Sequence, residues 1–286
     1  MSQVDRVDSQ SWTRSAVSRD KNAMWMVDAY EAALRARGLA EKTRAVYLQT
    51  VRRHLEAVDP VTCQVGDLER WLASLNVGPN TTGQTIVRLR QFYRWAQRHD
   101  VRPDNPTDLL DVPKVPRARP RPIPDCYLQA IWDRADDVQR AWIALGLYCG
   151  LRAGEAVAIR VEDFEGDELV VCGKGGRERR VPVRPEVFRA LDRVGWPRRG
   201  RFFPGACEKA ASTQIGTLLR DVGAPPRITY HSLRHRAGTE WYRASRDVKV
   251  VAELLGHASI ETTMIYAEAD VDHARTVVRQ VPALVA

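Results

Sequence analysis

The run from Asp111 to Pro124 carries five prolines, at 113, 116, 120, 122 and 124. Each fixes φ near about −65°, removes a backbone donor and pushes the preceding residue towards extended backbone, so no helix or interior strand can pass through. A chain of 286 residues interrupted in this way has to build its cores on either side of the break. At about 100–200 residues per domain, two modest domains are expected. The apolar fraction of 44% can fill both. The expected organisation is a polar tail over 1–20, a helical domain over 21–110, an extended linker over 111–124 and a second domain over 125–286.

Ahead of the linker the apolar residues recur at helical spacing. Trp25, Ala29 and Ala33, with Tyr30 and Leu34, form one stripe ended by Gly38. Tyr47, Val51, Leu55 and Val58 form a second, and Asp67 to Leu75 predicts a third, shorter helix. Ile86, Leu89, Phe92, Tyr93 and Ala96 give a fourth, whose other face carries Arg88, Arg90, Arg94 and Arg98. Those arginines fit either a solvated face or one that meets polyphosphate.

Behind the linker, Tyr127 to Tyr148 reads as one apolar helix stopped near Gly150. Glu168 to Cys172 and Arg177 to Val183, with glycines in the turn around Lys174, predict a β-hairpin. From Pro185 to Gln280 the pattern is mostly helical, broken at Pro197 to Gly205 and Gly223 to Arg227. The expected fold class is mainly α with a small antiparallel sheet.

A set of separated residues in this second half suggests chemistry. Arg152 stands in Gly150-Leu151-Arg152-Ala153-Gly154-Glu155 and Lys174 in Gly173-Lys174-Gly175-Gly176. His231 and Arg234 stand in His231-Ser232-Leu233-Arg234-His235, His257 follows Leu255-Gly256, and Tyr266 closes Thr262-Thr263-Met264-Ile265-Tyr266. Two arginines, a lysine and two imidazoles can stabilise a phosphate whose oxygens gain charge during displacement, and a phenol can attack it. Arg152 precedes a helix start at Ala153, a place that favours a bound anion. Competing local readings are weaker. His231 and His235 have the spacing of a helical zinc pair, but Ser232 stands where the metalloprotease motif requires Glu. Around Lys174, Glu168 and Gly175 occupy positions where a phosphate loop needs Gly and Ser or Thr. Neither a metal nor a nucleotide cofactor is expected.

In order and spacing these phrases resemble the tyrosine recombinase, or phage integrase, family, whose signature is Arg, Lys, His-x-x-Arg, His or Trp, and Tyr. The likeness runs from about Ala23 to Asp270 and is strongest in the second half. It implies a helical core-binding (SAM-like) domain joined to a catalytic domain, and cleavage and rejoining of DNA through a 3′-phosphotyrosyl link. It further implies that Arg152 and Arg234 clamp the phosphate, Tyr266 attacks it and His231 takes or relays the tyrosine proton. Lys174 would protonate the 5′ oxygen, His257 would bond a nonbridging oxygen and Glu155 would orient the donors. His235 is expected to be structural.

Composition agrees with a polyphosphate partner. The net charge is +8, the pI about 9.5, and of 44 Lys and Arg residues only six are lysine. Lys114, Arg117, Arg119 and Arg121 make the linker basic, so it is either solvated or laid along a DNA backbone. The five cysteines are scattered without a CxxC pair, which points to reduced thiols in a cytoplasm. Ala141 to Leu151 is too short to span a bilayer, so no membrane partner is expected. The expected partners are a double-stranded DNA core site, further copies of the chain (a dimer on one site and a tetramer in synapsis) and a directionality factor. With about twenty polar residues before the first stripe, no arm-binding domain is expected. The preferred role is phage or mobile-element integration, with chromosome or plasmid dimer resolution as the alternative and a type IB topoisomerase or a non-catalytic DNA-binding protein behind them. Val271, Ala274, Val277, Val278 and Val281 form an apolar stripe expected to pack on a neighbouring protomer or on its own domain.

Overall fold

The computed structural model describes residues 19–115, 119–173, 177–257 and 259–268, with the backbone alone for 19–23 and 268. Residues 1–18 of the expected polar tail, Arg117, Lys174 and the stripe from Val271 to Val281 lie outside the described residues, and residues 19 and 20 of that tail belong to the first helix. The chain divides into two compact units between residues 116 and 117. It is mainly α with one small antiparallel sheet.

In the first unit, α1 (Arg19–Ala36), α2 (Glu41–Leu55), α3 (Val65–Ser74) and α4 (Pro79–Arg98) surround one apolar core. Helix α4 supplies much of it through Ile86, Leu89, Phe92, Tyr93 and Ala96, the predicted stripe. The stripe of α1 is rotated from expectation. Met26, Val27, Tyr30 and Leu34 face the core, Ala29 and Ala33 are half-buried, and Trp25 is 47% exposed. Burial follows the i, i+4 line through residues 26, 30 and 34, which sets the Tyr30 ring against Phe92 and Trp95. A 3-10 turn at Pro106–Leu109 closes the unit, held by Arg90, whose Nη2 donates to the Thr107 carbonyl at 3.0 Å.

In the second unit the expected long helix is two, α5 (Asp125–Arg134) and α6 (Asp137–Tyr148). The break is chemical: the Asp136 carboxylate accepts from the Gln139 N–H at 2.7 Å, while the Gln139 side chain accepts from the Asp136 N–H at 3.0 Å. That reciprocal cap starts a new helix where apolar periodicity reads straight on. Helix α6 is buried from Ala141 to Gly146 and packs on α10 (Tyr230–Ser245), where the Tyr230 hydroxyl donates to the Trp142 carbonyl at 3.0 Å. Ile123, at the end of the proline segment, is fully buried, and its N–H donates to the Ser232 carbonyl at 3.1 Å.

Between α6 and α10 come the short helix α7 (Ala153–Ala158) and a sheet of β1 (Phe164–Glu165), β2 (Glu168–Cys172) and β3 (Glu178–Pro182), in that order. Pairing sets Leu169 opposite Val181 and Val171 opposite Arg179. Helices α8 (Pro185–Val194) and α9 (Glu208–Asp221) follow before α10, and α11 (Val248–Leu255) and α12 (Met264–Glu268) complete the described unit. Gly150 makes the turn into α7 with φ +61°, and a Cβ there would lie 2.8 Å from Cη2 of Trp241. The turn therefore needs glycine for both its backbone and its space. Among the described residues no helix is long and apolar enough to cross a membrane.

Candidate active site

One carboxylate organises the site. Arg152 is the N-cap of α7, and its N–H donates to Oε2 of Glu155 at 2.8 Å, while its Nη1 donates to Oε1 at 2.8 Å. From β3, Arg179 lays a fork on the same carboxylate, Nη1 to Oε1 at 3.1 Å and Nη2 to Oε2 at 2.8 Å. From α10, Nη1 of Arg234 lies 3.7 Å from Oε2. Burial alone would raise the Glu155 pKa, but the Arg179 fork and the Arg152 contacts outweigh it and hold the pKa at about 2. Three guanidinium groups thus share one carboxylate, and the cluster keeps an excess of positive charge suited to an anion.

The three arginines differ in access. The Arg152 side chain is 41% exposed and that of Arg234 only 1%. Nη1 and Nη2 of Arg234 donate to the carbonyls of Gly150 and Leu255, each at 2.6 Å, which ties the start of α7 and the end of α11 to α10. Burial, then the Arg152 charge, pushes the Arg234 value down to about 10, so it stays a cation. Arg179 also donates from Nε to the Leu254 carbonyl at 2.9 Å. Its stem passes under Gly256, where φ is +64° and a Cβ would lie 2.9 Å from Cδ of Arg179.

Helix α10 presents His231, His235 and Gly238 along one face, spaced four and three apart as neighbours on a helix are. The His231 and His235 rings meet edge to face at 4.6 Å. Tyr266 of α12 is 4% exposed, and its hydroxyl lies 3.2 Å from Nδ1 of His235. Its ring lies over Gly238, where a Cβ would come within 2.6 Å of Cζ. Burial raises the Tyr266 phenol above its ordinary value, while the Arg234 and Arg152 charges pull the other way, so the hydroxyl sits within the field of both guanidinium groups. Nδ1 of His257 is 2.7 Å from the Thr263 hydroxyl. Burial, then Arg234 and Arg152, lowers His257 to about 4, and the same causes lower His231.

Arg152, Glu155, His231, Arg234, His257 and Tyr266 thus come together from α7, α10, α12 and the end of α11. For Lys174, what is described is the stem of its hairpin, closed by the Gly173 N–H donating to the Arg177 carbonyl at 2.7 Å. Two residues of the site depart from the sequence reading: Arg179 has no role in it, and His235 is expected there to be structural. Arg179 sits on the inward face of β3 with Val181, an apolar position held by an arginine, and that alternation was its signal. His235 carried only its i+4 spacing from His231; the contact with Tyr266 comes from the packing of α12, not from any local pattern.

The expected basic surface is divided. On α4, Arg94 and Arg98 are exposed, Arg88 is half-buried and bonded to Gln84 at 3.0 Å. Arg90 is turned inward onto the Pro106–Leu109 turn, with Asp108 at 3.6 Å, because that turn lies against its side of the helix. Lys114, Arg119 and Arg121 are exposed.

Comparison with known proteins bears on the family and the fold. Residues 127–273 match the model of the phage integrase family. The tyrosine recombinase XerC of Chromobacterium violaceum is 31% identical over 260 residues, covering 82% of this chain and 87% of that protein. The XerC of Rhodospirillum centenum is 33% identical over 238 residues, covering 74% and 70%. In fold, the chain resembles a lambda integrase in a dimer bound to a COC′ core site, with a TM-score of 0.72 and 18% identity over 85% of this chain and 94% of that one. It also resembles the Tn1549 transposon integrase in complex with a circular intermediate DNA, with a TM-score of 0.70 and 19% identity over 90% and 99%. With these matches, the chain belongs to the phage integrase family of tyrosine recombinases, a class of DNA strand-transferring enzymes.

Proposed function

We propose that this chain is a site-specific recombinase that cleaves and rejoins double-stranded DNA through a 3′-phosphotyrosyl link at Tyr266. The observation that carries the reading is the Tyr266 hydroxyl, buried beside His235 and within the field of Arg152 and Arg234. Arg152, the most exposed of the cluster, meets the nonbridging oxygens, and Arg234 adds charge from beneath. Glu155 and Arg179 hold both in place. His257 bonds a second nonbridging oxygen, His231 relays a proton, and Lys174 protonates the departing 5′ oxygen. The P–O5′ bond breaks as the P–Oη bond forms, so its energy is kept for religation without ATP.

The DNA-bound state of the lambda and Tn1549 integrases supports duplex DNA as the substrate. Residues 21–110 act as the core-binding domain and 125–286 as the catalytic domain. Arg88, Arg94, Arg98, Lys114, Arg117, Arg119 and Arg121 contact phosphates; Arg90 shapes the fold that presents them. The chain works in the cytoplasm as a dimer on each site and a tetramer in synapsis, with a directionality factor. Relatives above 30% identity carry the XerC name, which weighs towards dimer resolution, whereas the phage and transposon integrases contribute likeness of fold.

The test is to trap covalent adducts on a library of nicked duplexes, sequence them, and clone the selected core site. Resolution predicts that two direct copies on one plasmid are sufficient for excision. Integration predicts exchange between two dissimilar duplexes. Failure to trap any adduct would overturn the recombinase reading.

A further inference from the structure

Resting on the reading of Tyr266 as nucleophile, we propose that His235 is the residue that takes the phenolic proton when Tyr266 attacks phosphorus. Among the described residues, His235 is the hydrogen-bond partner of that hydroxyl, Nδ1 to Oη at 3.2 Å. With the ring proton on Nε2, Nδ1 accepts from the phenol. The arrangement is built from two elements rather than one flexible side chain. His235 and Gly238 lie three apart on α10, and the absence of a Cβ at Gly238 lets the Tyr266 ring lie close enough for the contact.

The surroundings keep His235 unprotonated at rest, and the arriving phosphodiester anion offsets their positive charge as the proton moves. The groups that face His235 are His231 and Arg234 on the same helix, His257 after α11, Arg121 ahead of α5 and Tyr266 itself. Among the described residues, none of these is a carboxylate. Burial, followed by His231 and the Arg234 charge, lowers His235 to about 4, so the imidazole is neutral near pH 7 and has an empty site for a proton. The step balances: the Oη–H bond breaks as Oη–P forms, and Nδ1 gains the proton to become imidazolium. The P–O5′ bond breaks, with the 5′ oxygen protonated by Lys174. Religation returns the His235 proton to Tyr266.

The experiment uses full-length protein and the core duplex selected by adduct trapping, with single-turnover adduct formation followed from mildly acidic to alkaline pH. His235→Asn keeps a polar atom near the Nδ1 position without its basicity; His235→Ala removes both. Melting curves and duplex affinity, expected to be near wild type, monitor the fold. Both variants should form adduct about 10²–10⁴-fold more slowly at neutral pH, the range for loss of a general base. The deficit should shrink as rising pH ionises the phenol directly. Wild-type speed in His235→Asn would mean that the residue only positions the ring. Faster cleavage in His235→Ala would make the contact a restraint on Tyr266, and a deficit equal at every pH would exclude proton transfer; each result overturns the proposal. An adduct persisting in Tyr266→Phe would instead undo the nucleophile reading beneath it.

Discussion

Replacing Glu155 tests the electrostatic architecture of the site, and the size of the effect can be worked in two ways. The carboxylate accepts four hydrogen bonds, two from Arg152 and two from Arg179, with Arg234 at 3.7 Å. The Arg179 and Arg234 side chains are almost fully buried, so Glu155→Ala leaves them as uncompensated cations. Removing one partner of a buried pair costs about 3–5 kcal/mol. Independently, a carboxyl held at about 2 against an ordinary 4.5 stabilises the folded state at neutral pH. At about 1.4 kcal/mol per pH unit, that is about 3 kcal/mol. The two figures agree.

The sign follows from the direction of the shift. A depressed carboxyl contributes its stability fully above its unfolded value and loses it as pH falls from about 4.5 through about 2. Urea unfolding of wild type and Glu155→Ala should therefore differ by about 3–5 kcal/mol at pH 7. The difference should shrink steadily through that acid window, and taking it between the two proteins cancels the other carboxylates. A pH 7 difference below about 1 kcal/mol, the scale of exposed pairs, or one unchanged in acid, would refute the reasoning.

Other perturbations probe neighbouring parts of the account. Gly238→Ala places a Cβ where only 2.6 Å separates it from the Tyr266 ring, so α12 must shift. Adduct formation should fall at least about tenfold, as expected for a misplaced reacting group, while DNA affinity measured by gel shift stays unchanged. Lys174→Ala should be slow on ordinary DNA and recover on a duplex with sulfur at the bridging 5′ position, since a thiolate leaves without a proton; Arg152→Ala should show no recovery. Duplex affinity should fall steeply with salt, by about 0.9 in log slope per phosphate contact, and joint replacement of Arg94 and Arg98 should flatten that slope while Arg90→Ala should chiefly lower the melting temperature.

Much of this protein could be read before its fold was known, where local chemistry was decisive. Five prolines forbid regular structure whatever the surroundings, and the junction between units falls among them. Leu89, Phe92, Tyr93 and Ala96 keep one face of α4 unambiguous because only the core accepts them. Reading failed where two local signals competed. Apolar periodicity ran from α5 into α6, and the Asp136 and Gln139 cap won because a satisfied helix start outweighs continued apolar spacing. Trp25 promised a core residue from its size, yet Met26 and Tyr30 define the buried line of α1. In the site, residues with a fixed sequence spacing were visible, but Arg179 and His235 act through partners 24 and 31 positions away. Contacts of that range are decided by packing.

The most direct test of the central claim is the covalent bond itself. On the selected nicked core duplex, wild-type protein should leave a DNA-linked species resistant to denaturant, whose protease digest carries the oligonucleotide on the peptide containing Tyr266. Tyr266→Phe, which keeps the ring over Gly238 and loses only the hydroxyl, should bind the same duplex with unchanged affinity and form no such species. An adduct that persists in Tyr266→Phe, or that maps to another residue in the wild type, would contradict the account.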